Sequence, residues 1–175
     1  MDFFNKSEQS ILLNAENIIV GFSGGVDSTL VLAATNQFLE AHNKKNCLTA
    51  LHVNHQTQSD SSSWQIHCEK FCKEHNINFS CKSVEIKESG QGYEAAARSA
   101  RLDIFNAFDE ATVIILGHHL DDQVETVFFR VLRGTGLKGL TGMQRHLKIK
   151  DKDFIRPLLH LTCLLYTSPS PRDLA

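Results

Sequence analysis

Short apolar runs alternate along the chain with segments whose apolar residues recur every three or four positions. The runs predict four β-strands, at 17–22, 48–53, 79–86 and 112–116. A predicted helix follows each strand, and these helices lie at 29–42, 64–74, 93–109 and 121–132. The alternation predicts an α/β fold with a doubly wound parallel sheet, helices on both faces, and ligands bound beyond the carboxyl ends of the strands.

Length and composition favour one domain. The 175 residues are 42% apolar, which suits one sizeable core rather than two complete domains. No run approaches the roughly 18 consecutive apolar residues that would indicate a membrane span. The first residues also lack a basic stretch followed by an apolar one. We therefore expect a cytoplasmic protein with no membrane partner.

The charges are unevenly distributed, although the formal net charge is only −2. Residues 1–125 hold 9 Lys and Arg against 17 Asp and Glu, whereas residues 126–156 hold 8 against 2. The late positive charges can form either a phosphate-facing patch or a solvated surface, and charge asymmetry alone slightly favours the surface. These residues are Arg130, Arg133, Lys138, Arg145, Lys148, Lys150, Lys152 and Arg156.

The cysteines do not form a recognisable disulfide or metal framework. There are five of them, and none belongs to a CxxC pair, which favours reduced thiols. Cys68 and Cys72 lie one helical turn apart and could bind a metal. Because no second Cys or His pair occurs at zinc-like spacing, packing is the favoured interpretation of both.

The sequence Ser-Gly-Gly-Val-Asp-Ser joins the first predicted strand to its helix. A strand that ends in a glycine loop before a helix presents backbone N–H groups and a positive helix dipole to a phosphate chain. Glycines let the backbone approach the phosphates, serine hydroxyls donate to them, and an aspartate can hold Mg²⁺. An ordinary turn is the alternative, but the complete pattern favours a nucleotide-binding loop. Its residues are Ser23, Gly24, Gly25, Val26, Asp27 and Ser28.

A second polar string, Gly-His-His-Leu-Asp-Asp-Gln-Val-Glu-Thr, follows the fourth predicted strand. Asp122 and Glu125 are three residues apart on the predicted helix, so their carboxylates share a face and suit Mg²⁺ or an amine nucleophile. His119 is a weaker candidate for substrate contact. Alternatively, the aspartates cap the helix and the histidines pack or cap, which is the more common role for any one of them.

A glycine-rich basic segment follows the fourth helix. Four glycines within nine residues disfavour regular structure and suit a loop that lies close to a polynucleotide, whereas a helix C-cap explains only one of them. The candidate polynucleotide or substrate contacts here are Arg130, Arg133, Gly134, Gly136 and Lys138.

Together these strings resemble a known family. Residues 23–28 match the SGGxDS loop of the N-type ATP pyrophosphatases, known as PP-loop enzymes, and 118–126 match their HHxDDxxET element. The sequence LRGTGLKGLTGM, residues 132–143, narrows the resemblance to the tRNA(Ile)-lysidine synthetase family. Three further elements agree with that family: an HVNH strand end that includes His55, a helix that includes Arg98, and an IRPLL segment at 155–159.

The resemblance implies a Rossmann-like domain of the adenine nucleotide alpha hydrolase type and an ATP-dependent, carbon–nitrogen bond-forming ligase. Its substrates would be free L-lysine and the wobble cytidine of a tRNA(Ile) with a CAU anticodon, its cofactors ATP and Mg²⁺, and its products AMP and pyrophosphate. The implied catalytic residues are Asp27, Arg98, Asp122 and Glu125, with Asp27 and Asp122 holding the metal. His55 and His119 would contact the substrate, and a homodimer is compatible with the sequence.

The chain also departs from that family. Gln56-Thr57-Gln58 replaces the Gly-Leu-Arg that usually follows HVNH. We expect residues 1–160 to form the catalytic domain, incomplete at its C-terminal end, and 161–175 to be an artefactual tail. Two alternatives remain open: a related tRNA-modifying enzyme such as a 2-thiolase, which the absence of CxxC disfavours, and a non-catalytic ATP-binding fragment, which the acidic string disfavours.

Overall fold

A computed structural model describes residues 3–54, 61–84, 100, 103–109, 112–134 and 141–162. Its centre is a six-stranded sheet in the order β3-β2-β1-β4-β6-β5. The strands are β1 Asn17–Gly21, β2 Leu48–Asn54, β3 Asn78–Ser83, β4 Thr112–Ile115, β5 His146–Ile149 and β6 Lys152–Ile155. All pairings are parallel except that of edge strand β5 with β6.

Four helices have complete bounds in the described parts of the chain. They are α1 Lys6–Asn14, α2 Val26–Ala41, α3 Ser61–Glu74 and α4 Leu120–Leu132, and a short 3₁₀ turn occupies Lys45–Cys47. Residues 103–106 are also helical. The helix predicted at 93–109 otherwise lies mostly outside the described residues. Among those residues, no helix is long and apolar enough to cross a membrane.

The four predicted strands and the α/β class are confirmed. The prediction of a wholly parallel sheet is wrong at one edge, because the hairpin of β5 and β6 adds an antiparallel strand. Both strands are four residues long and carry charged side chains, so they lack the apolar run that identified the others. The prediction also missed α1, whose nine residues depend on a capping box between Asn5 and Glu8.

Alternate residues of the central strands point to two cores. Ile18 and Val20 of β1 belong to the larger core, together with apolar residues of the first three helices. Ile19 points to the opposite face and packs in a smaller core with Phe105 and Phe154. This two-residue alternation is what a sheet covered on both faces requires. The smaller core forms the floor of the cleft described next.

Candidate active site

A cleft of about 460 Å³ opens beyond the carboxyl ends of the strands, beside β1 and β4. The chain runs from β1 to β2 on one side of β1, while β4 lies on the other side, so the strand order reverses at this point. Such switch points are where open α/β sheets bind ligands. The described residues that line the cleft are Gly21, Phe22, Ser23, Asp27, Ser28, Leu51, Val53, Phe105, Leu116, Gly117, His118, His119, Asp122, Ile149, Phe154 and Arg156.

The serine-glycine loop forms one wall and is held by its own hydroxyls. The Ser23 and Ser28 hydroxyls lie 3.1 Å apart, and Ser28 Oγ donates to the Gly25 carbonyl at 2.9 Å. The Ser23 backbone N–H donates to Ser28 Oγ at 3.2 Å. Helix α2 begins directly after Gly25, which makes no side-chain cap hydrogen bond. An uncapped helix start that faces a cleft can bind an anion.

Helix α2 begins at Val26, earlier than the predicted start at 29. The predicted start was late because Val26, Asp27 and Ser28 were interpreted as loop residues, whereas they form the first helical turn. Val26 is exposed. The residues that line the cleft include none of Gly24, Gly25 and Val26. Of the six predicted loop residues, Ser23, Asp27 and Ser28 therefore face the cleft with their side chains.

Two glycines allow close packing around this wall. Gly24 has a φ of +85°, and a Cβ there would lie 3.0 Å from Cys68 Sγ. Gly117, at the end of β4, approaches α2 so closely that a Cβ would lie 3.2 Å from the backbone nitrogen of Ser28. Since that neighbour is backbone rather than a flexible side chain, glycine at 117 lets the two walls of the cleft meet.

His119 lies between the two walls of the cleft. Its Nε2 lies 3.9 Å from Asp27 Oδ2 and 3.6 Å from Asp122 Oδ2, and its Nδ1 lies 3.4 Å from Asp121 Oδ2. His119 is also the N-cap of α4: its backbone N–H donates to Asp122 Oδ2 at 2.8 Å, and its Nδ1 accepts from the Asp121 N–H at 3.2 Å. The capping interpretation of these residues is therefore confirmed, and their functional role stays a prediction.

The acidic pair fits the metal that the sequence predicts. Asp27 and Asp122 each place a carboxylate oxygen within 4 Å of one histidine nitrogen, and both line the cleft. No set of three or more His, Cys, Asp or Glu side chains in the described part of the chain is arranged to hold a metal ion. Mg²⁺ does not need such a set, because it commonly takes one or two carboxylates together with phosphate oxygens and water.

Other predicted site residues lie away from the cleft. Glu125 is exposed on α4 and is not among the lining residues. Arg130 donates to the Gly142 carbonyl at 3.0 Å, Arg133 is the exposed C-cap of α4, and Gly134 follows it with a φ of +69°. The predicted residues Arg98, His55, Gly136 and Lys138 lie outside the described residues.

The hypothesis of a continuous basic patch is wrong for two of its members. Arg145 forms a two-pronged ion pair with the fully buried Glu8, and the Lys152 ammonium is buried and donates to the Asn106 carbonyl at 2.7 Å. Both charges satisfy interior acceptors, as buried charges must. Arg156 is buried too, but it lines the cleft.

The sequence analysis missed the apolar wall of the cleft. Leu51, Phe105 and Phe154 belong to the smaller core, and Val53 and Leu116 pack against it. They give the cleft an apolar surface that a nucleobase can pack against. Alternation along β2 could have placed Leu51 and Val53 on one face, but no local signal brings Phe105 to the same place.

The cysteines behave as core residues. Cys68 and Cys72 are fully buried on α3, and Cys68 Sγ lies 3.6 Å from Nδ1 of the buried His52. Burial raises the pKa of the Cys68 thiol to about 11 and that of Cys72 to about 12. Both are therefore protonated at neutral pH, which agrees with the packing interpretation.

The chain matches a known protein family and has curated relatives of established name. Residues 2–164 match the model of the PP-loop domain family. The chain is 40% identical over 149 residues to tRNA(Ile)-lysidine synthase of Legionella pneumophila strain Lens, which covers 85% of the chain and 33% of that protein. It is 38% identical over 156 residues to the protein of the same name from Pseudomonas fluorescens, covering 86% and 34%. The chain thus spans about one third of the length of these curated relatives.

A solved structure supports the fold. The U34-tRNA thiolase NcsA of Methanococcus maripaludis, determined with its [4Fe-4S] cluster, superposes with a TM-score of 0.61. The match covers 95% of this chain and 66% of the thiolase, at 20% sequence identity. Identity at that level is evidence for a shared architecture and for nothing finer.

Proposed function

Because the chain belongs to the PP-loop domain family, we propose that it is the ATP-cleaving catalytic domain of a tRNA(Ile)-lysidine synthetase. The observation that carries this proposal is the meeting of the Ser23–Ser28 loop with His119 and Asp122 in one cleft at the switch point of the sheet. Relatives that are 35 to 41% identical to the chain over the matched residues bear the name tRNA(Ile)-lysidine synthase. The complete protein would join lysine to the wobble cytidine of a tRNA(Ile) with a CAU anticodon.

In the first step, ATP lies with its phosphates against the start of α2 and its base against the apolar wall. The C2 oxygen of cytosine attacks the α-phosphorus, the bond from that phosphorus to the bridging oxygen breaks, and pyrophosphate leaves. The hydroxyls of Ser23 and Ser28 and the N–H groups of the first turn of α2 stabilise the charge that develops on the phosphates. The tRNA then carries AMP on its cytosine.

In the second step, the ε-amine of lysine attacks C2 of the adenylated base and AMP leaves with the C2 oxygen. The amine must lose a proton to become a nucleophile, and Asp122 lies in the cleft where it can orient and deprotonate the ammonium. Glu125, three residues further along α4, is proposed to help orient the lysine ammonium as it approaches from solvent. Arg98 is proposed to steady the adenylate.

Asp27 and Asp122 would hold Mg²⁺ together with phosphate oxygens. When bound there, the ion offsets the negative charge of the triphosphate and of the departing pyrophosphate. His119 Nε2 lies within 4 Å of both carboxylates.

The tRNA would approach from the glycine-rich segment after α4. Arg133 and Gly134 are exposed at the end of that helix, and Gly136 and Lys138 follow in sequence. The candidate contact His55 follows β2, whose carboxyl end also opens toward the cleft. A homodimer remains part of the proposal and is tested by the mass of the protein in solution.

The products of nucleotide cleavage test the proposal directly. The full-length protein, incubated with ATP, Mg²⁺, radiolabelled lysine and tRNA(Ile) with a CAU anticodon, should release AMP and pyrophosphate and transfer label to the tRNA. Formation of ADP and orthophosphate would contradict the proposal. Label that enters the tRNA from a sulfur donor instead of lysine would indicate a thiolase.

A further inference from the structure

A buried arginine lines the cleft beside the two carboxylates. Arg156 follows β6, is only 8% exposed, and lines the cleft together with Asp27 and Asp122. Of the described residues that line the cleft, it alone carries a permanent positive charge. A triphosphate brings several negative charges into a cleft that already holds two carboxylates, so a fixed positive charge there has a direct electrostatic use.

We propose that Arg156 binds the phosphate chain of the nucleotide, and that Glu8 and Arg145 position it. This inference rests on the proposed function, since it assigns the nucleotide to the same cleft. Arginine suits the task because its planar guanidinium can make two parallel hydrogen bonds to one phosphate group.

Two carbonyl groups hold Arg156 in place. Its backbone N–H donates to the Arg145 carbonyl at 2.7 Å, and its Nη1 donates to the Gln144 carbonyl at 2.9 Å. The main chain at 144–145 therefore fixes both the backbone and the guanidinium of Arg156. Any displacement of that short segment would move the guanidinium within the cleft.

Glu8 holds the same segment through the side chain of Arg145. Glu8 Oε1 accepts from Arg145 Nε at 2.7 Å and Oε2 accepts from Nη2 at 3.0 Å. Arg145 also donates from Nη1 to the Pro157 carbonyl at 2.8 Å, immediately after Arg156. Glu8 is a fully buried residue of α1, so this two-pronged pair has a fixed geometry that an exposed pair would lack.

The other end of the segment is attached to α4, the helix that bears Asp122. The Gln123 side chain makes two hydrogen bonds to Met143, donating to its carbonyl at 2.8 Å and accepting from its N–H at 2.6 Å. Arg130 donates to the neighbouring Gly142 carbonyl at 3.0 Å. Residues 142–145 thus connect α1 with α4, and Arg156 is bound to the middle of this connection.

The first experiment compares affinities of the full-length protein for ATP, pyrophosphate and adenosine by calorimetry. Arg156→Met keeps most of the side-chain volume and removes the charge. We expect it to lower affinity for ATP and pyrophosphate roughly 10- to 100-fold while leaving adenosine affinity unchanged. Arg156→Lys should give an intermediate loss, because it keeps the charge without the two-pronged geometry.

Lys70→Gln is the matched control, since Lys70 is an exposed cation on α3 that pairs with Glu74 on the same helix at 3.9 Å. It should leave all three affinities unchanged. Equal loss of adenosine and ATP affinity in Arg156→Met would indicate general damage to the cleft and overturn the proposal. Unchanged ATP affinity in Arg156→Met and Arg156→Lys would overturn it as well.

The positioning role is tested with Glu8→Gln, alone and combined with Arg156→Met. Alone, it should lower ATP affinity several-fold without changing adenosine affinity. In the Arg156→Met background it should cause no further loss, because the group that it positions is already absent. Additive losses would contradict a positioning role for Glu8.

Product analysis of the wild-type protein separates this inference from the proposed function. If the wild-type protein forms AMP and pyrophosphate while these variants bind ATP normally, only this inference fails. If the wild-type protein forms neither product, the proposed function fails.

Discussion

At the scale of single residues, the cleft combines structural and chemical roles in the same side chains. Asp122 caps α4 through the His119 N–H and also faces the cleft. His119 accepts from the Asp121 N–H and lies between the carboxylates of Asp27 and Asp122. Asp27 belongs to α2 rather than α4, so its substitution leaves the Asp122 cap of α4 in place.

Replacing Asp27 with Asn should therefore lower the rate of pyrophosphate release on the order of 100-fold or more. The amide keeps the shape of the side chain but lacks the negative charge that would hold Mg²⁺. Coupled-enzyme detection of pyrophosphate measures the rate, with Lys70→Gln as the control. The melting temperature should change little. A variant that releases pyrophosphate at the wild-type rate would remove Asp27 from the proposed mechanism.

Gly117 provides a second residue-scale prediction. A methyl group at this position would lie 3.2 Å from the backbone nitrogen of Ser28, closer than the roughly 3.5–4.0 Å of a comfortable carbon contact. Gly117→Ala should push the end of β4 away from α2 and cost about 1–3 kcal/mol of unfolding free energy. Urea denaturation and ATP titration should show reduced stability and reduced affinity together. If Gly117→Ala binds ATP as tightly as the wild type, the close contact of β4 with α2 is not needed for ATP binding.

At the scale of elements, α3 closes one side of the larger core with two thiols. Cys68 and Cys72 stand one turn apart, and Cys68 contacts both His52 and the position where a Gly24 side chain would lie. Burial is the main cause of their raised pKa values, with Cys81 adding to that of Cys68 and Cys68 to that of Cys72. Helix α3 thus links the core to the back of the phosphate loop.

These thiols predict a loss of stability in alkaline solution. Their folded pKa values of about 11 and about 12 exceed the ordinary 9.0, so their contribution is fully present below pH 9 and is lost as pH rises toward 11–12. Urea denaturation between pH 8 and 11 should show the free energy of unfolding falling above pH 9. In the double variant Cys68→Ala and Cys72→Ala, the free energy of unfolding should fall less steeply with pH. An equal slope in the variant and the wild type would show that other groups cause the loss.

At the scale of the whole molecule, sequence reasoning succeeded where a pattern was local. The apolar runs identified β1, β2, β3 and β4, and the loop at 23–28 indicated the correct end of the sheet. It failed where contacts are distant in sequence. Glu8 and Arg145 are 137 residues apart, and no periodicity shows that they pair. Arg145 and Lys152 therefore looked like surface cations, although both serve the interior.

The cleft also predicts how ligand binding changes the stability of the molecule. ATP that binds only the folded state should stabilise it by about 2.7 kcal/mol at 100 times its dissociation constant. The melting temperature should therefore rise in the presence of ATP and Mg²⁺. It should rise less with adenosine, because adenosine lacks the phosphates that α2 and Arg156 would contact. Arg156→Met should abolish most of this difference while Lys70→Gln preserves it. Equal shifts with ATP and adenosine would mean that the phosphates bind elsewhere than at the serine-glycine loop.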